Sequence, residues 1–238
     1  MEHKKVAILF FGLTRSLGKT VESLRTNLFT PLTTNKINYD IFIHTYKIFG
    51  PYSNSWSNER VTSYNNENIE DLLHPKYVIY DNQETVENSI DFNEYYNKLG
   101  DWTGMTKEMT RYLIKNMCLA LYSKKRITLL FEEHMHEYDY AIIIRPDMKL
   151  NTTFDTMWFS ELNDSNIIIP EKDWFSGCND RMCIGNPNVI LYCGKLFDDL
   201  KAYSNMKSII SERYLLDKLN ERTISVISTC INYDMLRI

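Results

Sequence analysis

The chain has 238 residues, 44% of them hydrophobic, and a formal net charge of −4. That length and apolar content suffice for one large core, while the dispersed Lys and Arg lack the clustered basic face of a nucleic-acid binder. No apolar run approaches the roughly 18 residues of a membrane span, the opening MEHKKVAILFFGLTRS lacks the order of a secretory signal, and five cysteines without CxxC spacing point to reduced thiols and a cytoplasmic setting.

Residues 6–11 make a compact apolar strand that runs into Gly12, Leu13, Thr14, Arg15 and Ser16 before a helical pattern begins near Thr20. Val21, Leu24, Leu28 and Leu32 keep helical spacing, and Pro31 sets the expected end of that helix. Residues 39–46, YDIFIHTY, read as a second strand, so the order strand, turn, helix, strand predicts a parallel βαβ unit. Its first turn and the end of its second strand open on one edge, which makes Arg15 and His44 expected neighbours. The Gly12–Ser16 stretch is either a plain strand-to-helix turn or an anion site, where free helix N–H groups and the Arg15 guanidinium meet a phosphate. It is neither a Walker loop nor G-x-G-x-x-G. His44 is either a satisfied core histidine or a nucleotide contact.

Residues 47–68 carry Gly, Pro, Ser, Asn and Trp56 without periodicity and read as a surface excursion over a site. Ile69–Leu73 reads as a short helix, residues 76–80 as a third strand, and residues 83–104 as a polar, aromatic loop ending in Trp102 and Gly104. A long helix follows over residues 106–136, with Met109, Leu113, Met117, Ala120 and Leu121 marking its apolar face.

The stretch EYDYAIIIRPDMKL, residues 137–150, is a buried strand that ends in charge at Arg145, Pro146 and Asp147. Alternation puts Arg145 and Asp147 on one face. Asp147 has two readings: a structural partner of Arg145, or a hard oxygen ligand for Mg2+ or Mn2+ beside a diphosphate. There is no intact Asp-x-Asp, because Arg145 stands two positions earlier. Beyond it, residues 151–164 read as a turn and short helix, and Asn166–Pro170 as a short buried strand. EKDWFSGCNDRMCIGNP reads as irregular, with Asp180 either hydrogen-bonding within its loop or acting as a general base. Trp174 and Phe175 pack or offer a stacking face to a sugar. Residues 189–203 and 212–220 read as helices and residues 224–228 as a last strand, giving an α/β class with a mostly parallel sheet.

Taken together, FGLTRSLGKTVESL, YDIFIHTY, YDYAIIIRPDMKL, IIIPEKDWFSGCNDRMCIGN and SERYLLDKLNERTISVISTCINYDMLR resemble the small GT-A-type glycosyltransferases of large DNA viruses and some capsule-forming bacteria. The resemblance implies a GT-A-like, Rossmann-like central sheet flanked by helices, in one domain over residues 1–238. It implies a nucleotide-diphosphate sugar donor, UDP-linked by expectation, and a glycan or other hydroxyl acceptor. Gly12 and Arg15 then fall in the donor loop, His44 and Thr45 at the second-strand edge, and Arg145 beside the donor phosphates. Asp147 takes the place of the last Asp of the family's Asp-x-Asp, holding Mn2+ or Mg2+, and Asp180 is the acceptor-side base of an inverting transfer. A viral source would make the setting a host cytoplasm. The competing classes are a non-catalytic nucleotide-sugar or glycan-binding module and a nucleotidyltransferase.

Overall fold

The computed structural model describes residues 4–96 and 105–237; Trp102 and Gly104 lie outside them. The chain order is β1 (Lys5–Phe11), α1 (Leu17–Leu24), a π-helical turn (Arg25–Phe29), α2 (Thr30–Thr34), β2 (Asn38–Lys47), β3 (Tyr52–Asn54), β4 (Glu59–Val61), α3 (Ile69–Leu73), β5 (Tyr77–Asn82) and α4 (Gln83–Ser89). It continues with α5 (Lys107–His134), β6 (Tyr140–Ile144), β7 (Met148–Leu150), β8 (Asn166–Pro170), β9 (Met182–Gly185), α6 (Pro187–Gly194), α7 (Phe197–Ser204), α8 (Ser211–Glu221), β10 (Ser225–Thr229) and β11 (Tyr233–Met235).

Seven strands form the central sheet in the order β10-β8-β9-β6-β1-β2-β5. The pairings of β1 with β2 and β6, β2 with β5, and β8 with β10 are parallel, whereas β9 runs antiparallel to both β6 and β8. The α/β class and the mostly parallel, helix-flanked sheet expected from the sequence are therefore present. Both faces are covered, which is why β1 and β6 read as unbroken apolar runs. Val6, Ile8 and Phe10 pack with Leu17, Leu24 and Leu28 on one side, while Ala7, Leu9 and Phe11 pack with Ile114, Cys118 and Phe131 of α5 on the other. In β6, Ile142 and Ile144 join the first layer and Ala141 and Ile143 the second. Each such Ile, fully buried, contributes roughly 1.5–3 kcal/mol.

Several local expectations shift. The first helix starts at Leu17 and does not stop at Pro31; it passes through the π turn to Thr34. Pro31 has no N–H to give to Asn27, four residues back, and the freed Asn27 carbonyl accepts from the Phe154 N–H at 2.7 Å. On α5 the fully buried face is Thr110, Ile114, Cys118 and Leu121, one position round from the predicted stripe; Leu113 and Met117 are half-buried. The helix predicted over 189–203 divides into α6 and α7 after Gly194, where an added Cβ would lie 1.9 Å from the Thr128 hydroxyl of α5.

The loop between β8 and β9 approaches α8 more closely than a side chain permits. A Cβ on Gly177 would stand 2.1 Å from the Glu212 carbonyl, and the adjacent Cys178 N–H donates to that carbonyl at 2.9 Å. Gly177→Ala must therefore push the loop off α8, and it is expected to lower stability in urea denaturation by about 1–3 kcal/mol.

Candidate active site

A parallel strand and its antiparallel neighbour meet the sheet edge at opposite ends, so the residues after β6 and before β9 share one edge. That is the carboxyl edge of β1, β2 and β6, where open α/β sheets take their ligands. The Arg145 N–H donates to the Arg181 carbonyl at 3.1 Å, tying the two ends together. Residues 145–148 then turn sharply, with the Met148 N–H 3.4 Å from the Arg145 carbonyl and Pro146 supplying the fixed φ of the second turn position.

Asp147, in that turn, is buried at 1% exposure. Arg145 donates to it as a fork, Nε to Oδ1 at 2.8 Å and Nη2 to Oδ2 at 2.6 Å. Arg15 Nη2 stands 3.4 Å from Oδ2, and Arg237 Nη1 donates to the same oxygen. Burial alone would raise this carboxyl; Arg145, then Arg237 and Arg15, outweigh it and bring the pKa from its ordinary 3.8 to about 2. Arg15 is further held by Glu59 at 3.2 Å and by the Tyr52 hydroxyl, both from the β3–β4 hairpin. The predicted surface excursion thus contains a hairpin that covers Arg15. The structure joins Arg15, Arg145 and Asp147, as their candidate roles require, and adds Arg237.

This donor set does not fit Mn2+ or Mg2+. Such ions take one or two carboxylates, with water and substrate phosphate completing the shell, whereas both oxygens of Asp147 are already engaged by four N–H groups of three guanidiniums. No group of three or more His, Cys, Asp or Glu able to hold a metal gathers among the described residues. The expectation that Asp147 is a metal ligand therefore gives way to its other reading, a structural anion, now shared by three arginines.

His44 is fully buried on the opposite side of the β1 edge, paired in register with Phe11. Its Nε2 lies 3.0 Å from Asp81 and its Nδ1 2.6 Å from the Ser123 hydroxyl. Asp81 also accepts from Arg126 Nε at 3.0 Å and from the Tyr122 hydroxyl at 3.3 Å. The His44 hydrogen bond, with Arg126, holds the Asp81 carboxyl well below the usual range. Burial lowers the imidazole pKa, against the pull of Asp81. A carboxylate accepts only, so Nε2 carries the proton and Nδ1 accepts from Ser123. The order Ser, His, Asp is that of a hydrolase triad, but Ser123 is also fully buried, and its oxygen takes the Gly12 N–H at 2.7 Å. The chain of bonds pins the β1 turn to α5. Both ring nitrogens of His44 are engaged inside the fold, as its core-histidine reading has it, and through Ser123 it is linked to Gly12. Gly12 itself has φ +92°, a conformation that glycine adopts without strain.

Thr45, on the other face of β2, is 2% exposed; its hydroxyl, the Tyr64 hydroxyl and Arg15 Nε have no hydrogen-bond partner among the described residues. Asp180 lies across the edge from Arg145, and both line a small cavity with Phe11, Leu121, Lys124 and Tyr214. No hydrogen bond reaches the Asp180 carboxylate among the described residues; its backbone carbonyl accepts from Lys124 Nζ at 3.1 Å. Glu212 stands close enough that burial, together with the Asp180 charge, pushes its carboxyl up to about 6. The loop leading to Asp180 holds Asp173, Phe175 and Ser176 at φ between 39° and 70°, with Phe175 63% exposed.

No protein-family model and no curated protein matches the chain. Among solved structures it resembles the apo form of mouse xyloside xylosyltransferase 1, at TM-score 0.41 and 11% identity, over 96% of this chain and 85% of that one. So distant a likeness transfers neither a residue nor a ligand. No helix among the described residues is long and apolar enough to cross a membrane.

Sequence reasoning missed Lys124 and Arg237. Lys124 sits three residues after Leu121 and seven after Met117, a cation on an apolar stripe, which was the available signal. Arg237 carries no local signal; its meaning comes from contacts 90 residues away and more.

Removing a buried partner leaves polar groups unsatisfied, so Ser123→Ala is expected to cost about 1–3 kcal/mol in chemical denaturation. Asp147 has a folded pKa below its unfolded one, so its contribution is present above about pH 4 and lost as pH falls through about 2, on the order of 2 kcal/mol. Asp40 and Asp81 are also lowered and add to the acid response of the native chain. The difference in acid sensitivity between the native chain and Asp147→Asn, read from urea midpoints at stepped pH, isolates the Asp147 share.

Proposed function

We propose that the chain is a glycosyltransferase that moves a sugar from a nucleotide-diphosphate donor, UDP-linked by preference, to a hydroxyl of a glycan or similar acceptor. The observation that carries this reading is one cavity lined by both Arg145 and Asp180: a guanidinium anchored in a cationic cluster faces a carboxylate without a hydrogen bond among the described residues. Displacement at an anomeric carbon needs that pairing, a base for the acceptor proton and fixed positive charge for the leaving group.

In the proposed step Asp180 takes the acceptor hydroxyl proton as the acceptor oxygen bonds to the anomeric carbon. The bond from that carbon to the donor phosphate oxygen breaks, its electron pair stays on the diphosphate, and the configuration inverts. Arg145 meets the charge that develops there, supported from below by Arg15. Gly12, pinned through Ser123 and His44, sets the loop that places Arg15. Thr45 and Tyr64, with buried hydroxyls on the donor side, are the groups left to meet polar atoms of the nucleoside. The exposed Phe175 offers a face for an acceptor ring. We place residues 1–238 in a single transferase domain, spanned by one sheet from β1 to β10. A cytoplasmic setting belongs to the same reading, with Cys118, Cys178, Cys183 and Cys193 buried as free thiols.

The test is a panel of nucleotide sugars assayed for sugar transfer or release. Asp180→Asn is expected to lower turnover by about 10²–10⁴-fold while leaving donor binding within about twofold. Full turnover in that variant places the base elsewhere, binding without turnover in the native chain indicates a recognition module, and pyrophosphate release indicates a nucleotidyltransferase.

A further inference from the structure

We infer that Arg15, Arg145 and Arg237, set round the buried Asp147 carboxylate, form a diphosphate-binding cage that takes the place of a divalent cation, with Arg237 an anion contact that the sequence reading did not assign. The inference deepens the glycosyltransferase reading and rests on it for the identity of the ligand, though not for the anion site itself.

The charge count comes first. Three guanidiniums converge on Asp147, with Glu59 paired to Arg15, so at the cluster three cations stand against two carboxylates. A divalent cation brought to Asp147 would add to that excess, whereas a diphosphate would remove it. Free donors come second. Asp147 engages Nε and Nη2 of Arg145 and Nη1 of Arg237. Nη1 of Arg145, and Nε and Nη2 of Arg237, have no partner among the described residues. Both side chains are about a quarter exposed, at 26% and 28%, while Arg15 is 4% exposed behind them. Two arginines thus face solvent with unused N–H groups, and the third supports them from below.

Rigidity is the third element. The fork from Arg145 to Asp147 fixes one guanidinium plane. Arg237 is fixed by its backbone: the preceding Leu236 N–H donates to the Asp147 carbonyl at 2.9 Å, the Leu236 carbonyl accepts from the Ser16 hydroxyl at 3.0 Å, and the Arg237 carbonyl accepts from Lys19 Nζ at 3.0 Å. Cations held in place before the ligand arrives lose little freedom on binding it, and guanidiniums match phosphate oxygens two at a time. Asp147 supplies the compensation that lets three like charges stand together without a ligand. A cation would draw the diphosphate by one strong centre; the cage does so by several directed N–H groups.

Calorimetric titration of the full chain with inorganic pyrophosphate and with UDP, in EDTA and then with manganese, tests this. Both probes are expected to bind in EDTA, with manganese changing the affinity by less than about threefold. A charge-assisted contact is worth roughly 1.5–3 kcal/mol, so Arg237→Gln should weaken both by about 10–100-fold, and Arg237→Lys should recover part of that loss. Circular dichroism and the urea midpoint show that each variant is folded. The inference is overturned if pyrophosphate and UDP bind only with manganese, or if folded Arg237→Gln binds them as the native chain does. Pyrophosphate bound in EDTA without turnover of any nucleotide sugar would sustain the cage and remove the transferase reading. Sugar transfer that requires manganese would sustain the transferase reading and remove the cage.

Discussion

Three arginines drawn from residues 15, 145 and 237 can share one sheet edge only because a single buried carboxylate lies among them. Asp147 gives up water to do this, a cost that one cation at ordinary surface distance would not repay. It is repaid by a fork from Arg145 and two further guanidiniums. The dependence runs both ways. Without the carboxylate the three cations repel one another at close range, and the chain segments that carry them lose the reason to converge. The β3–β4 hairpin is tied to the same point, since Glu59 and Tyr52 reach Arg15 and nothing else in that hairpin approaches the edge so directly.

A second polar chain balances the first from the opposite layer. The bonds from Asp81 through His44 and Ser123 to Gly12 hold the end of β1 against α5. The turn that carries Arg15 is therefore fixed at its start by a largely buried network that ends on the Asp81 carboxylate, and at its far end by a cluster of three arginines that is partly open. Only the second has N–H groups left to meet a ligand, which separates the residues that shape the edge from those able to act at it.

How much of this the sequence announced depends on how local each cause is. The strands β1, β2, β6 and β8 were legible because burial on both faces writes continuous apolar runs, whereas Arg145 and Asp147, expected together from strand alternation, meet through the turn at Pro146 that follows β6. The placing of Asp180 opposite Arg145 was legible only as two separate candidates, since it depends on β9 running antiparallel, and nothing in MCIG declares direction. The β3–β4 and β7–β11 pairs were missed because three-residue strands are too short to show a period. His44 stayed open between two readings for a related reason: a histidine after an apolar strand looks the same whether its partners are a ligand or Ser123, which lies 79 residues on. Arg237, in YDMLR, looks like any surface arginine until Asp147 is placed beside it.

Those separations bear on how the molecule assembles. Contacts between residues 15 and 147, and between 147 and 237, join parts of the chain remote in sequence, and such contacts form late because the intervening loops must close first. The helical and β1–β2 contacts are local by comparison. The edge that carries the three arginines thus closes no earlier than the β1–β6 pairing, whose partners lie equally far apart in sequence, and its cations remain mutually repelling until Asp147 is enclosed. An anion present during folding would quiet that repulsion early, so the groups proposed to hold a diphosphate would also speed the closing of the fold around it.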